Sequence, residues 1–323
     1  MSEPIIRDPG LAKIHPEWEA FEKQFPIPPL LGTPQQLRQL KFPIANDPPI
    51  GFSIKDIEVP GYQGATNQLR LYTPDDSSEP LPVVIYVHGG GWTAGDLDAE
   101  DKVCRTMCNS AGVIVVSVGY RKAPENPFPI GLEDVWQGVL WTAKEEQVFN
   151  HIETLGGAND KIIISGLSAG GNIAAVLAQR SQTAGNVTFR GQILRVPLVV
   201  HTDALPQDFN FSSYTENANP PILPAAAVTQ CLGYYGAPPE DIRISPLLAK
   251  DFSGLPPAYI QIAGADPLRD DGFAYAERLQ KAGIPVSLSV YAGFPHAFMS
   301  FPLPSAAKSD EDLIKAIKWI LEI

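Results

Sequence analysis

Cysteine is scarce in this chain of 323 residues, which contains only Cys104, Cys108 and Cys231. An odd and small number of cysteines argues against a framework of disulfide bonds. Cys104 and Cys108 lie one helical turn apart, yet neither a histidine nor a further cysteine lies close to them in sequence. We therefore interpret them as packed thiols, and the sequence predicts no metal site.

Long apolar runs and an excess of basic residues are also absent. No segment approaches 18 uninterrupted apolar residues, and residues 1–8 contain no apolar stretch of signal-peptide length. We therefore expect no stable membrane anchor and a location in the cytoplasm. The 24 basic residues are outnumbered by 36 acidic ones, a formal net charge of −12, so we expect no nucleic-acid partner.

Apolar stretches typical of buried strands alternate with segments that carry apolar residues at helical spacing. This alternation predicts an α/β fold with a mostly parallel sheet, and the length suits one core with an inserted cap. The strands are predicted at residues 52–59, 68–72, 83–87, 113–118, 162–164, 193–200, 258–262 and 286–291. Besides the helix that follows residue 168, helices are predicted at 98–111, 132–148, 224–235, 272–281 and 310–321.

Two segments depart from this alternation. Residues 1–45 have the pattern of two short helices, the second opened by the capping box Thr33-Pro34-Gln35-Gln36, and they are too few to fold alone. From residue 201 to 243 the pattern breaks down, and such an irregular insertion is typical of a functional lid. We therefore predict an N-terminal cap segment (1–45), a cap insertion (201–243) and a core formed by 46–200 and 244–323.

The stretch Gly166-Leu167-Ser168-Ala169-Gly170 lies between a predicted strand and a predicted helix. This spacing and context are typical of a nucleophile elbow, a sharp turn that raises one hydroxyl above a sheet. Glycines suit both sides of the turn because a Cβ there would collide with nearby backbone. We predict that Ser168 is a nucleophile; the alternative is a buried structural serine.

A serine hydroxyl needs a base that removes its proton, and in an open α/β sheet the site forms beyond the carboxyl ends of the strands. Of the five histidines we assign only His88 and His296 to such positions, because His201 begins the predicted lid. The chain order serine, aspartate, histidine favours His296 as the base. Asp266 comes first after its strand, where it can orient the histidine. The alternatives are a structural histidine and a turn aspartate. Asp270 and Asp271 are interpreted as residues of a helix N-terminus.

Three consecutive glycines follow another predicted strand in His88-Gly89-Gly90-Gly91. Backbone N–H groups in such a run are unshielded and can point into a pocket. We therefore predict an oxyanion hole formed by the N–H groups of Gly90, Gly91 and Ala169. His88 and Gly89 are expected to support this loop, His88 through hydrogen bonding.

The motifs that carry a resemblance to a known family are HGGG at 88–91, a loop at 120–129, GLSAGGN at 166–172, DPLRD at 266–270 and PH at 295–296. Together they resemble the hormone-sensitive-lipase-like group of the α/β-hydrolases. The resemblance covers roughly the chain from residue 50 onward. It implies an eight-stranded, mostly parallel sheet flanked by helices, with a helical cap. It also implies a serine carboxylesterase that hydrolyses short- to medium-chain esters without a metal or other cofactor.

One departure from the group concerns the residue before the nucleophile. Members often carry an aspartate there, whereas this chain has Leu167. The triad chemistry does not need that carboxylate, so activity is expected to survive. Substrate preference and pH dependence are therefore not carried over from the group.

The substrate and the assembly are less closely defined by the sequence. Candidates for lining the substrate pocket are Trp92, Phe211, Tyr214 and Phe294, with core packing as the alternative for each. A lactonase, thioesterase or acyltransferase would use the same acyl-serine, and a lipase would add a mobile apolar cap. A receptor with this fold would have no reason to keep the triad. An exposed edge strand at 286–291 would allow a homodimer.

Overall fold

The residues described in a computed structural model of the chain are 9–40, 47–75, 79–143 and 155–323. The boundary predicted at residue 45 lies outside these ranges, as does the end of the helix predicted at 132–148. The division into a cap and a core therefore stays a prediction.

Eight strands form one sheet, as predicted. They are β1 (Phe52–Pro60), β2 (Thr66–Pro74), β3 (Leu81–Val87), β4 (Ile114–Val118), β5 (Gly157–Leu167), β6 (Gly191–Arg195), β7 (Ala258–Ala265) and β8 (Val286–Pro295). Their order in the sheet is β1-β2-β4-β3-β5-β6-β7-β8. β2 is antiparallel to β1 and β4, whereas the neighbours from β4 to β8 are parallel. The mostly parallel α/β-hydrolase sheet is therefore confirmed.

The described helices connect and cover these strands. They are α1 (Pro16–Gln24), α2 (Pro34–Gln39), α3 (Asp101–Ala111), α4 (Ile130–Ala143), α5 (Ala169–Ala184), α6 (Ser213–Glu216), α7 (Ala225–Tyr235), α8 (Arg269–Lys281) and α9 (Pro304–Glu322). The capping box of α2 is confirmed, since the Thr33 hydroxyl accepts from the Gln36 N–H and the Gln36 side chain accepts from the Thr33 N–H. α9 begins six residues before the predicted start, because Pro304 suits a first helical position.

The sheet is buried on both faces, which explains the uninterrupted apolar strands. Val83, Ile85 and Val87 of β3 pack in one apolar cluster with residues of α4, α5 and α8. The alternate residues Val84 and Tyr86 pack in a second cluster with residues of α3 and α9. This alternation follows from the two-residue period of a strand. The parallel pairing from β4 to β8 separately brings the carboxyl ends of these strands to one edge of the sheet.

β6 is shorter than predicted. The sequence predicted a strand at 193–200, but β6 ends at Arg195. Val196 has a φ of +42°, which turns the chain out of the strand. Pro197 follows and has no N–H to extend the ladder. The residues beyond it therefore lead directly into the irregular insertion.

The segment before β1 contacts the insertion between β6 and β7. The Leu30 N–H donates to the Ile222 carbonyl at 2.6 Å. The Gly32 N–H donates to Gln230 Oε1 at 2.9 Å. The two segments predicted as a cap thus meet through one hydrogen bond between backbones and one from the backbone to a side chain.

The three cysteines are buried free thiols, as predicted. No helix in the described part of the chain combines the length and the apolar character needed to cross a membrane. β8 lies at the edge of the sheet, and Val290 is 39% exposed on it. Pairing of this edge in a homodimer stays a prediction.

Candidate active site

Ser168 lies in the sharp turn between β5 and α5. Its φ of +56° and ψ of −117° are strained for a residue with a side chain, and strain of this kind is typical of functional sites. Gly170 is required by the close approach of β3, because a Cβ there would lie 2.1 Å from the Val87 carbonyl oxygen. The Ser168 N–H donates to the Arg195 carbonyl at 2.8 Å, which fastens the turn to β6.

The three side chains predicted as a triad form one hydrogen-bonded chain. His296 Nε2 lies 2.8 Å from Ser168 Oγ. His296 Nδ1 lies 2.7 Å from Asp266 Oδ2. Asp266 is fully buried and His296 is 2% exposed. Since a carboxylate only accepts hydrogen bonds, Nδ1 carries the imidazole proton and Nε2 is free to accept the proton of Ser168.

Uncharged amide and hydroxyl groups hold the loop that carries Asp266. The Leu268 N–H donates to Asp266 Oδ1 at 2.9 Å. Asn217, between β6 and β7, donates its side-chain N–H to the Asp266 carbonyl at 2.9 Å. Ser213 of the short helix α6 donates its hydroxyl to the Pro267 carbonyl at 2.7 Å. The insertion therefore positions the carboxylate as well as covering the sheet.

Asp270 and Asp271 lie in the first turn of α8, as predicted, but they do more than favour its dipole. Asp270 Oδ2 accepts from the Ser213 N–H at 2.8 Å. Asp271 accepts from the Val199 N–H at 2.9 Å and from the Tyr214 hydroxyl at 3.0 Å. Burial raises the pKa of Asp271 to about 8. These carboxyl groups anchor the insertion to the core.

The glycine run after β3 lies beside Ser168. Gly90 has a φ of +115°, and a Cβ there would lie 2.3 Å from the Ala94 carbonyl oxygen, so a side chain is excluded. In the part of the chain that the structure describes, the N–H groups of Gly90 and Gly91 donate to no other protein group. Ala169 is the first residue of α5, where helix N–H groups also lack internal partners. Three backbone donors are thus available next to the serine.

Gly89, the residue before these donors, is held at both ends. Its N–H donates to Glu100 Oε1 at 2.7 Å. Its carbonyl oxygen lies 2.7 Å from His88 Nδ1. The Tyr86 hydroxyl donates to the second oxygen of Glu100. Burial raises the pKa of Glu100, while the hydrogen bonds from Tyr86 and Gly89 lower it.

Sequence reasoning missed Glu100 because it falls in the first turn of the helix predicted at 98–111, where an acidic residue is ordinary. Its partners lie 14 and 11 residues earlier in the chain. The available signal was its spacing after the glycine run, which places the start of α3 over that loop.

Comparison with known proteins agrees with this geometry. The profile of the α/β-hydrolase fold matches residues 84–300, which include all three residues of the hydrogen-bonded chain. The chain belongs to the α/β-hydrolase family. Its similarity to named carboxylesterases places it in the hormone-sensitive-lipase-like group, as the motifs predicted.

The relatives and solved structures cover nearly the whole hydrolase. It is 39% identical to the carboxylesterase NlhH of Mycobacterium tuberculosis over 296 residues, 88% of each chain. An esterase of Pyrobaculum calidifontis covers 95% of this chain and 99% of its own, with a TM-score of 0.81 and 31% identity. A vibralactone cyclase covers 100% of this chain and 99% of its own, with a TM-score of 0.88 and 27% identity.

The hydrolase has a cavity of about 100 Å³ at Ser168. Apolar side chains from three parts of the chain line it: Leu30, Leu37 and Leu40 before β1, Leu223, Val228 and Cys231 from the insertion, and Trp92, Leu167, Leu198 and Leu268 from the core. Arg38 also lines it and is fixed by donating to the Thr93 and Ala123 carbonyls at 2.9 Å. The cavity is therefore narrow and closed in part by residues before β1.

Of the four aromatic candidates for this pocket, only Trp92 lines it. Phe211 packs against Phe209, and the Tyr214 hydroxyl is engaged by Asp271. Phe294 is buried and stacks on His15. Core packing, the alternative considered for each residue, applies to these three.

Among the residues that the structure describes, no group of three or more histidine, cysteine, aspartate or glutamate side chains is arranged to hold a metal ion. The expectation of a cofactor-free reaction stays a prediction. The chemistry available to the hydrolase at this site is that of a serine, a base and backbone donors.

Proposed function

We propose that this hydrolase is a serine carboxylesterase that cleaves short- to medium-chain esters through an acyl-serine at Ser168. The observation that supports this most directly is the unbroken hydrogen-bonded chain from Ser168 through His296 to Asp266. A hydroxyl alone is a weak nucleophile, and this chain provides a base with the correct tautomer. The free N–H groups beside the serine complete the requirements for acyl transfer.

The proposed reaction has two halves. Ser168 Oγ attacks the ester carbonyl while His296 Nε2 takes its proton, and Asp266 stabilises the imidazolium that forms. The N–H groups of Gly90, Gly91 and Ala169 stabilise the negative oxygen of the tetrahedral intermediate. His296 then protonates the leaving alcohol. In the second half it activates water, which releases the acid and restores Ser168.

The proposed preference for shorter acyl chains is supported by the shape of the cavity. Its volume is about 100 Å³, and its walls are mostly apolar. An apolar pocket binds a hydrocarbon chain by removing its surface from water, so affinity rises with each methylene until the pocket is full. We expect the rate to rise along the shortest esters and to fall once the chain must displace Leu30 or Leu37.

A second candidate is transfer of the acyl group within the substrate instead of to water. The likeness to a vibralactone cyclase, with a TM-score of 0.88 over the whole chain, favours this candidate. The acyl-serine would form in the same way, and a nucleophile of the substrate would then attack it. Lactone-forming and thioester substrates would reveal this activity by product analysis.

The test is hydrolysis of p-nitrophenyl esters from acetate to palmitate by the wild type and by Ser168→Ala. We expect the wild type to prefer the short esters and Ser168→Ala to lose roughly 10⁴-fold or more in kcat. A fluorophosphonate should label the wild type and not the variant. Ser165→Ala is a matched control, because Ser165 is a buried serine of β5 whose hydroxyl has no hydrogen-bond partner.

Two results would count against the proposal. Absence of hydrolysis together with labelling at Ser168 would favour the acyl-transfer candidate. Absence of both would contradict an acyl-serine and favour a binding protein with this fold.

A further inference from the structure

The peptide between Gly89 and Gly90 has a polar contact at its carbonyl end. Its oxygen lies 2.7 Å from His88 Nδ1, and its N–H belongs to Gly90, a proposed oxyanion donor. In a trans peptide these two groups point in opposite directions. A hydrogen bond to the oxygen therefore polarises the amide and strengthens the N–H as a donor on the other side.

The tautomer of His88 follows from its surroundings. Burial, followed by the charge of Lys122, holds the pKa of His88 well below its usual value, so the ring is neutral. A carbonyl oxygen only accepts, so the single ring proton lies on Nδ1 and is donated to Gly89. His88 Nε2 is then an acceptor. Stacking on Tyr120, with ring centroids 4.3 Å apart, keeps the imidazole in this plane.

The acceptor nitrogen of His88 faces Lys122. Lys122 Nζ lies 3.1 Å from His88 Nε2, and it also donates to the Tyr120 carbonyl. It lies 3.9 Å from the centre of the Tyr120 ring. The ammonium group of Lys122 takes no part in the hydrogen bonds that join Ser168, His296 and Asp266. Lys122 and His88 line a polar groove of about 450 Å³, which shares Asp96 and Asp98 with the wall of the apolar cavity at Ser168.

We propose that Lys122 is a positioning residue that strengthens the oxyanion hole through His88 and the Gly89–Gly90 peptide. Its ammonium donates to His88 Nε2, which makes His88 Nδ1–H a stronger donor to the Gly89 carbonyl. The Gly90 N–H then stabilises the negative oxygen of the transition state more strongly. This role rests on the proposed acyl-serine chemistry and concerns the chemical step, so it affects kcat and leaves KM nearly unchanged.

The charge of Lys122 depends on pH. Burial lowers its pKa to about 7, while Asp96 and Asp134 raise it and Arg38 lowers it. The charged and titratable groups packed around it are Arg38 of α2, His88 after β3, Asp96 before α3, Tyr120 and Arg121 after β4, Asp134 of α4, and Asp56, Arg70 and Asp98 across the groove. Lys122 is therefore charged below about pH 7 and loses its charge above it.

The experiment compares wild type, Lys122→Met and Lys122→Arg in short-ester hydrolysis between pH 6 and 9. Lys122→Met should lower kcat about tenfold at pH 6, less than the roughly 10²-fold for loss of a whole oxyanion donor, with KM within about twofold. The wild-type advantage should shrink to about twofold at pH 9. Lys122→Arg, which stays charged, should keep its advantage over Lys122→Met across the range.

Independent readouts separate this role from a structural one. Nitrogen NMR of labelled histidine should show the Nδ1–H tautomer of His88 in the wild type, and a shifted Nε2 resonance in Lys122→Met. Lys250→Met, at an exposed lysine, is the matched control and should match the wild type. Melting temperatures should be measured for every variant.

The outcomes are distinguishable. Suppose the wild type cleaves esters and the ratio of its kcat to that of Lys122→Met does not change with pH. The proposed role of Lys122 is then wrong, while the esterase proposal stands. An unshifted His88 resonance in Lys122→Met would also overturn it. If the wild type forms no acyl-serine, the proposed function fails first, and the NMR comparison still tests the contact between Lys122 and His88.

Discussion

The loop after β7, which carries Asp266, and the loop after β3, which carries the glycine run, flank β5 on either side in the sheet. The first is fastened by groups without charge, among them the Leu268 N–H and the Asn217 amide. The second is fastened by side chains that can gain or lose a proton. Glu100 accepts from the Gly89 N–H, and His88 contacts its carbonyl.

This difference separates the geometry of the triad, which must stay constant, from the strength of the oxyanion donors, which can vary. The partner of His296 has to accept one hydrogen bond in one geometry, and the groups in direct contact with its loop carry no charge. The titratable Asp270 and Asp271 act only through the insertion. The oxyanion donors vary in strength with the charges behind them, since hydrogen bonds in a dry network polarise one another. We therefore expect pH to act on the strength of the oxyanion hole more than on the geometry of the triad.

The largest effect should come from a substitution at Asp266, in the loop after β7. Asp266→Asn keeps an acceptor for the Leu268 N–H, but its amide presents a donor to His296 Nδ1 and forces the wrong tautomer. We expect kcat to fall roughly 10⁴-fold with little change in melting temperature. Steady-state kinetics and thermal unfolding measure both. Asp203→Asn, at an exposed position, is the control, and a loss below about tenfold would contradict the assigned role of Asp266.

A smaller effect should follow from substitutions at Glu100, which holds the loop after β3. Glu100→Ala leaves the Gly89 N–H and the Tyr86 hydroxyl without an acceptor, and we expect kcat to fall roughly 10- to 100-fold as the donors lose their position. Glu100→Gln keeps the acceptor for Gly89 and should lose less than about fivefold. Kinetics of the two variants at one pH test this contrast. Equal losses would mean that the charge of Glu100, and not its hydrogen bond, holds the loop.

The smallest effect on the reaction should come from Asp271. Its pKa of about 8 in the folded chain exceeds the usual value near 4, so folding retains a proton that the unfolded chain releases. The stability from this group is complete below about pH 4 and is lost as pH rises to about 8. Asp271→Asn imitates the protonated form.

We therefore expect the melting temperature of Asp271→Asn, relative to that of the wild type, to rise by roughly 2–4 °C between pH 5 and pH 8. Calorimetry at several pH values tests this. A constant difference would show that Asp271 is ionised in the folded chain at all of them. Neighbouring Asp270, which accepts from the Ser213 N–H, offers a comparison at the same helix end.

The fold and the positions around the serine were accessible from local patterns. Ser168, Asp266 and His296 each follow a strand directly, and parallel strands bring their carboxyl ends to one edge. The structure brings the three side chains together there. β6 was overestimated because Val196 to Val200 are apolar, and composition does not reveal the backbone turn at Val196.

The rest depends on contacts between segments that are distant in sequence. Lys122 lies in a loop, and its contact with His88 spans 34 residues. Phe211 and Tyr214 were considered as pocket residues because they are aromatic and lie in the insertion. Both side chains pack against the main apolar core, and the Tyr214 hydroxyl is held by Asp271, 57 residues later in the chain.

The contacts between the two ends of the described chain have a consequence for its synthesis. The His15 N–H donates to the Gly293 carbonyl, and Glu17 accepts from Ser305. His296 is made 128 residues after Ser168, on the order of ten seconds later at ribosomal rates. The nascent chain therefore carries Ser168 and the glycine run for that time without the proposed base. Under the proposed mechanism, ester cleavage therefore begins only after His296 has left the ribosome and packed against Ser168.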